Sequence, residues 1–381
     1  MRAENSSLLH ETVELARALI RIPSFNPPGN EAAIASFASD WLQQAGVSST
    51  RVPLEAGRSS LVARLPGAHP GSIVLCGHLD TVTTASDSWH HDPFGAVIED
   101  GRLWGLGAAD MKAGVAVLMQ ALARRTANSS PLEKSLVLVL TADEEWGYRG
   151  ADAVARSGLI DDAELVLIAE PTSNAVCVGQ KGELWTEAVF TGKEAHGSMP
   201  ESGTSAILPA ARFCLRLHEE ISQWPAEPRF GRTTLNIGRV DGGRQVNIVP
   251  DRACVQLDVR PISHEHALAA IKCVAQLGSE EASMAGCHFV HRQMGYHRPV
   301  LSDVNHPWAR KLIEMAAAAT GVPQPHGLSP YSTDAVSIVP VLNVPVLICG
   351  PGSIEQAHQP NEFIDVEQIA QALEIITGFT A

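Results

Sequence analysis

The 381-residue sequence has no Cys-x-x-C pair, no block of lysines and arginines, and no apolar run long enough to cross a bilayer. Each absence removes a class of function. Zinc-finger spacing is missing, and the seven cysteines (76, 177, 214, 254, 273, 287 and 349) are odd in number and scattered, as expected of free thiols in a reducing cytoplasm. A net charge of −14 without a basic patch argues against nucleic acid or an anionic membrane as partner. The N-terminal "MRAENSSLLHETVELARALIRI" mixes acids and arginines into its apolar positions and reads as an amphipathic helix, not a signal peptide or a membrane span. "GLGAAD" lacks the third glycine of a dinucleotide fingerprint and follows no clean strand, so a nucleotide cofactor is set aside.

What is present is the profile of an ordinary globular protein, 45% hydrophobic and 18% charged, in a chain long enough for about two domains. Four short apolar runs read as buried parallel strands: "SIVLC" (72–76), "SLVLVL" (135–140), "ELVLIA" (164–169) and "VPVLIC" (344–349). Helical patterns such as "MKAGVAVLMQALARR" (111–125) lie between some of them, which predicts an α/β fold with a mostly parallel sheet and helices on both faces. From about 182 to 292 the order changes to β-α-β-β-α-β, the ferredoxin-like pattern. The expected organisation is a discontinuous α/β domain from residues 1–180 and 293–381, with an α+β domain, 181–292, inserted.

Chemistry collects after the apolar runs. "SIVLC" leads into His78 and Asp80, "ELVLIA" into Glu170, and "VPVLIC", past a Gly-Pro-Gly turn, into His358. "SLVLVL" ends on three successive carboxylates, Asp143, Glu144 and Glu145, and Asp110 stands just before the 111–125 helix. Strand carboxyl ends share one edge of an open α/β sheet, which is where ligands bind. Two histidines and several carboxylates, with no cysteine in a ligating role, suit zinc, with cobalt or manganese as substitutes. Cations would also compensate carboxylates that otherwise raise one another's pKa. Taken singly, Asp110 reads as a helix N-cap, Glu170 as an extended residue before proline, and each histidine as a hydrogen-bonded side chain. The coincidence at four strand ends favours a metal site. The other histidine clusters (90/91, 264/266, 288/291) read as surface residues.

At these residues the chain resembles the co-catalytic zinc amidohydrolase and exopeptidase family, through "GHLDTV" (77–82), "GRLWGLGAADMKAG" (101–114), "TADEEWGYRGA" (141–151), "AEPTS" (169–173), "GKEAHGSMPESGTSAI" (192–207), "GGRQVNIVPD" (242–251) and "GPGSIEQAHQPNEF" (350–363). The resemblance implies two zinc ions per subunit bridged by Asp110, with His78 and Glu170 completing one site and Glu145 and His358 the other. It implies that the Asp80 carboxylate fixes the His78 tautomer, that Glu144 is the general base acting on water, and that His196 stabilises the oxyanion from the partner subunit of a homodimer formed through the inserted domain. No role is implied for Asp143.

Substrate carboxylate recognition would fall to Arg260, Asn247, Lys181 and Thr333; a structural ion pair is the alternative for Arg260. The segment 350–363 looks most like the acetylornithine deacetylase branch, as does "ADMKAG" after "GRLWGLG", which points to deacylation of a small N-acyl amino acid. "YSTDAVS" (331–337) departs from it, carrying Thr-Asp-Ala, similar to the carboxypeptidase branch, where some acetylornithine deacetylases have Thr-Glu-Ala. A dipeptidase, a glutamate-releasing carboxypeptidase and a non-catalytic binder of amino-acid derivatives stay open.

Overall fold

The runs read as buried strands form the centre of one large sheet. The computed structural model describes residues 2–55, 57–84, 88–127, 131–228, 230–323 and 327–381. Among them a nine-stranded sheet runs in the order Ser49–Glu55, Arg58–Leu65, Ser135–Thr141, Ser72–His78, Ala163–Ile168, Val346–Ile348, Cys177–Gln180 and Val300–Leu301, with Gly327–Ser329 pairing with Cys177–Gln180. The four predicted strands are adjacent and parallel, so their carboxyl ends do share an edge. Every residue of Ser72–His78 and Ser135–Thr141 is buried, which is why these strands read as continuous apolar runs without alternation. The sheet is mixed: Ser49–Glu55 and Arg58–Leu65 add antiparallel strands at one side.

Helix Ala113–Ala127 packs against Arg2–Ile20 and Val366–Phe379, and helix Arg149–Ala155 packs against Ala335–Leu342. Leu118, Leu122, Leu138 and Val166 are fully or almost fully buried in this core. Burial of each such side chain stabilises by roughly 1.5–3 kcal/mol.

The chain divides into two compact units, Met1–Gly179 with Leu301–Ser329 and Thr333–Ala381, and Gln180–Val300 with Pro330–Ser332. The second unit is a four-stranded antiparallel sheet in the order Thr234–Gly242, Arg252–Arg260, Glu183–Thr191 and His288–His297, with helices Ile207–Ser222 and His264–Ala285. Its chain order is β-α-β-β-α-β. The rings of Phe190, Phe213 and Phe289 meet at its centre, with centroids 5.0–6.3 Å apart. Its last strand runs past the expected 292, because the ladder to Glu183–Thr191 continues through a bulge between Gln293 and Gly295 to His297.

Candidate metal centre

Two glycines let the strand ends converge. A Cβ on Gly114, at the start of helix Ala113–Ala127, would stand 2.3 Å from the Ala169 carbonyl oxygen. One on Gly350, in the Gly-Pro-Gly turn, would stand 2.2 Å from the same oxygen. Neither position has room for a side chain. The helix and the turn therefore close onto the end of Ala163–Ile168, carrying Asp110 and His358 towards Glu170. His358 adopts a left-handed backbone (φ 61°), a conformation that a non-glycine residue holds at some cost.

His78 Nε2 lies 3.0 Å from Asp110 Oδ1 and 3.9 Å from Glu170 Oε1. His358 Nε2 lies 2.9 Å from Glu145 Oε2 and 3.5 Å from Asp110 Oδ2. The result is two donor groups, His78/Asp110/Glu170 and Asp110/Glu145/His358, each offering ligand atoms within 4.8 Å of one another. Asp110 belongs to both and turns one oxygen to each. Tetrahedral zinc with bonds of about 2.0–2.1 Å needs ligand atoms roughly 3.3 Å apart, so the spacing and the nitrogen-and-oxygen donors fit such ions. His78 Nδ1 is 3.0 Å from the Asp80 backbone oxygen, which makes Nδ1 the donor in a neutral ring and leaves the Nε2 lone pair facing the carboxylates.

Electrostatics point the same way. Burial pushes the Glu170 and Glu144 carboxyls well above the usual range, with neighbouring carboxylates adding to the shift and His78 opposing it. His358 is pushed up to about 10 by its hydrogen bonds to Asp110 and Glu145. This much paired and unpaired negative charge in a buried place calls for cations.

The acidic triplet separates into three environments. Asp143 (φ 70°) turns away into an ion-pair network, accepting from buried Arg58 at 2.8 Å, buried Asn26 at 3.0 Å and exposed Arg149 at 2.6 Å. Arg58 also forks onto buried Glu31 at 2.5 and 2.8 Å. Glu145 enters the second donor group. Glu144 is 8% exposed and belongs to neither group. The Asp80 carboxylate accepts the backbone N–H of Glu144 at 3.2 Å and of Glu145 at 3.1 Å, and Asn26 Nδ2 at 2.9 Å, while it stands 3.8 Å from His78 Nδ1. Its backbone oxygen thus orients the imidazole, and its carboxylate holds the loop that carries the two glutamates.

Thr333 is fully buried in the first unit, and its Oγ1 accepts the Ala335 N–H. The other predicted site residues lie in the second unit. His196 is exposed; its Nδ1 accepts the Ser198 N–H at 3.2 Å, which leaves Nε2 as the protonated nitrogen of the neutral ring. The Gly197 N–H donates to the Asn247 backbone oxygen at 2.7 Å, so His196 and Asn247 sit on touching segments. Arg260 pairs with Glu183 at 2.9 Å and Asp258 at 2.8 Å, and Lys181 Nζ donates to the Arg232 oxygen at 2.8 Å. The histidine clusters are not uniformly surface residues: half-buried His264 and His266 bond Tyr296 and Thr233, and half-buried His291 bonds Thr186.

Sequence reading left Asn26, Arg58, Asp334 and Glu362 unassigned. Asp334 is the acid of the departing Thr-Asp-Ala; its Oδ2 accepts from Thr141 at 2.5 Å, and burial raises its pKa to about 6. Glu362 was within reach as part of "HQPNEF", beside the predicted His358. Asn26 had no local signal.

The sequence profile of Peptidase family M20/M25/M40 matches residues 74–381. The chain is 32% identical to acetylornithine deacetylase of Photorhabdus laumondii over 380 residues, covering 96% of this chain and 95% of that protein. It is 31% identical to acetylornithine deacetylase of Proteus mirabilis, covering 96% and 94%. The crystal structure of aminopeptidase PepT from Bacillus cereus has the same fold, with a TM-score of 0.80 at 23% identity and coverage of 97% of each chain. No helix among the described residues is long and apolar enough to cross a membrane. With this fold and these matches, the chain belongs to peptidase family M20/M25/M40 and is a metal-dependent amidohydrolase.

Proposed function

We propose that the protein hydrolyses the amide bond of a small N-acyl amino acid, with two zinc ions held by His78, Asp110, Glu145, Glu170 and His358. Cobalt and manganese are the substitutes this donor set would accept. The observation that carries the reading is the pair of donor groups sharing Asp110, with Glu144 buried beside them and in neither. A bound cation pair supplies Lewis acidity, which acidifies water and polarises the amide carbonyl.

The remaining steps belong to the chain. Glu144, its carboxyl raised by burial, takes the proton of the attacking water and returns it to the departing amine nitrogen. Asp80 keeps Glu144 in place through the backbone N–H it accepts. His196 offers an Nε2–H donor to the developing oxyanion, contributed by the partner subunit of a homodimer. Support for pairing through the second unit comes from strand Thr234–Gly242, an edge strand that carries exposed Val240, and from the helix in contact with it, Ile207–Ser222, which carries exposed Leu208 and Leu215. Arg260, Asn247, Lys181 and Thr333 would receive the substrate carboxylate. At Arg260 it would compete with Glu183 and Asp258, which already pair with the guanidinium. Seven free cysteines fit a cytoplasmic setting.

Substrate choice rests on the two acetylornithine deacetylases, similar over nearly the whole chain. A second reading, peptide hydrolysis by a carboxypeptidase or dipeptidase activity, is favoured by the Thr-Asp-Ala segment at Asp334, which resembles the carboxypeptidase branch. A panel of N-acetyl amino acids, N-acetylornithine included, and dipeptides separates them. Amine release that stops with chelator and returns with zinc supports the first reading. Cleavage of dipeptides alone supports the second, and tight binding without release of any amine sinks both.

A further inference from the structure

Glu362 is 1% exposed, and its carboxylate meets three backbone N–H groups of one loop. Oε2 accepts from Gly107 at 2.8 Å, and Oε1 accepts from Ala109 at 2.7 Å and Asp110 at 3.0 Å. Gly107, with φ 77°, turns the chain here so that these N–H groups converge. Two features set this apart from an ordinary loop anchor. The loop it grips presents the one residue common to both donor groups, Asp110. Glu362 itself lies four residues after His358, a member of the second group, and just before strand Phe363–Asp365, which pairs with Arg102–Trp104. The ladder and the carboxylate thereby fasten the His358 segment to the Asp110 loop at successive points.

We infer that Glu362 is a positioning residue for the metal centre, fixing the Asp110 carboxylate so that it faces both cation sites at once. This inference rests on the proposed cation pair. Three donors converging on one carboxylate need acceptors at every position. A glutamine of the same shape replaces one oxygen by an NH2 group, which would point a donor at a donor. Either the Gly107 N–H or the Ala109 and Asp110 pair then loses its partner, and the loop must shift. Groups that orient metal ligands from behind typically carry 10–100-fold in metal affinity.

The test is a competition titration of the chelator-stripped full chain with Zn²⁺ against a chromophoric chelator, together with the visible absorption spectrum of the Co²⁺ form. Glu362→Gln is expected to bind both equivalents about 10–100-fold more weakly and to change the cobalt bands. Glu145→Ala, which touches one donor group only, should weaken one equivalent. Glu281→Gln in the other unit, which removes a buried partner of Arg212 and Arg216, is the control for destabilisation alone and should leave affinity unchanged. If Glu362→Gln does not fold, amide hydrogen exchange on the wild-type metal-free chain replaces it, with slow exchange at Gly107, Ala109 and Asp110 expected. Unchanged affinity and cobalt spectrum in folded Glu362→Gln, or fast exchange at those amides, overturns the inference. Wild-type protein that takes up no zinc overturns the metal reading beneath it instead.

Discussion

The carboxylates of Asp80 and Asp143 meet across a single amide, with Asn26 Nδ2 2.9 Å from one and 3.0 Å from the other. Asp80 holds the backbone of Glu144 and Glu145, while Asp143 is held by Arg58 and Arg149. Asn26 therefore couples the glutamate loop to the ion-pair network. Asn26→Ala leaves two buried carboxylates short of a donor and is expected to destabilise the protein by about 1.5–3 kcal/mol in urea unfolding. Arg58→Met strands Glu31 and Asp143 without their shared cation and should cost more, about 3–5 kcal/mol.

Stability of the metal-free chain should fall as pH rises from about 5 to 9. Folded Glu144 and Glu170, raised chiefly by burial, keep protons that an unfolded glutamate releases above about 4.5. His358, held by Asp110 and Glu145, keeps its proton up to about 10 where an unfolded histidine loses it above about 6.5. Through these groups the folded chain binds more protons than the unfolded chain across this window, which removes stability as pH rises. Lys112, pushed down to about 7 by its burial, opposes them above that pH but is a single group against three. Zinc reverses the trend, because its ligands bind deprotonated. Melting temperatures with and without zinc should diverge as pH rises; a gap that stays constant or narrows counts against the ligand set.

Glu144 and Glu145 are neighbours with separable duties. Glu144→Gln is expected to lower turnover by roughly 10²–10⁴-fold while both cations stay bound. Glu145→Ala should lose one equivalent of metal. Metal analysis beside steady-state kinetics checks both, and an active Glu144→Gln enzyme would remove the proposed base.

Much of this was legible in the sequence because the residues of the two donor groups are tied to local patterns. His78, Glu145, Glu170 and His358 each follow a run of buried apolar residues, and a parallel sheet puts such ends together without further instruction. The inserted unit declared itself through the order of its elements. What stayed hidden depends on pairing between distant segments. Arg58 and Asp143 meet by tertiary packing, and nothing near either residue announces it. The short strands Val97–Glu99, Arg102–Trp104 and Phe363–Asp365 are too brief to show a period, yet they bring Glu362 to the Asp110 loop. Arg260 was ambiguous in sequence, since the same fork fits a ligand carboxylate or Glu183 and Asp258.

Edge pairing through Thr234–Gly242 gives the dimer proposal its own check. Val240→Lys together with Leu215→Glu should shift sedimentation from dimer to monomer and reduce turnover with metal content intact, since His196 would no longer reach the partner's site. A fully active monomer would show that His196 is not supplied by a second subunit.

The sharing of Asp110 between two cations is tested most directly by anomalous diffraction from zinc-loaded crystals at the zinc edge. Two peaks about 3.5–4 Å apart are predicted, one beside His78 and Glu170, the other beside Glu145 and His358, with Asp110 between them. A single peak at full zinc loading, or peaks that do not touch Asp110, would contradict it.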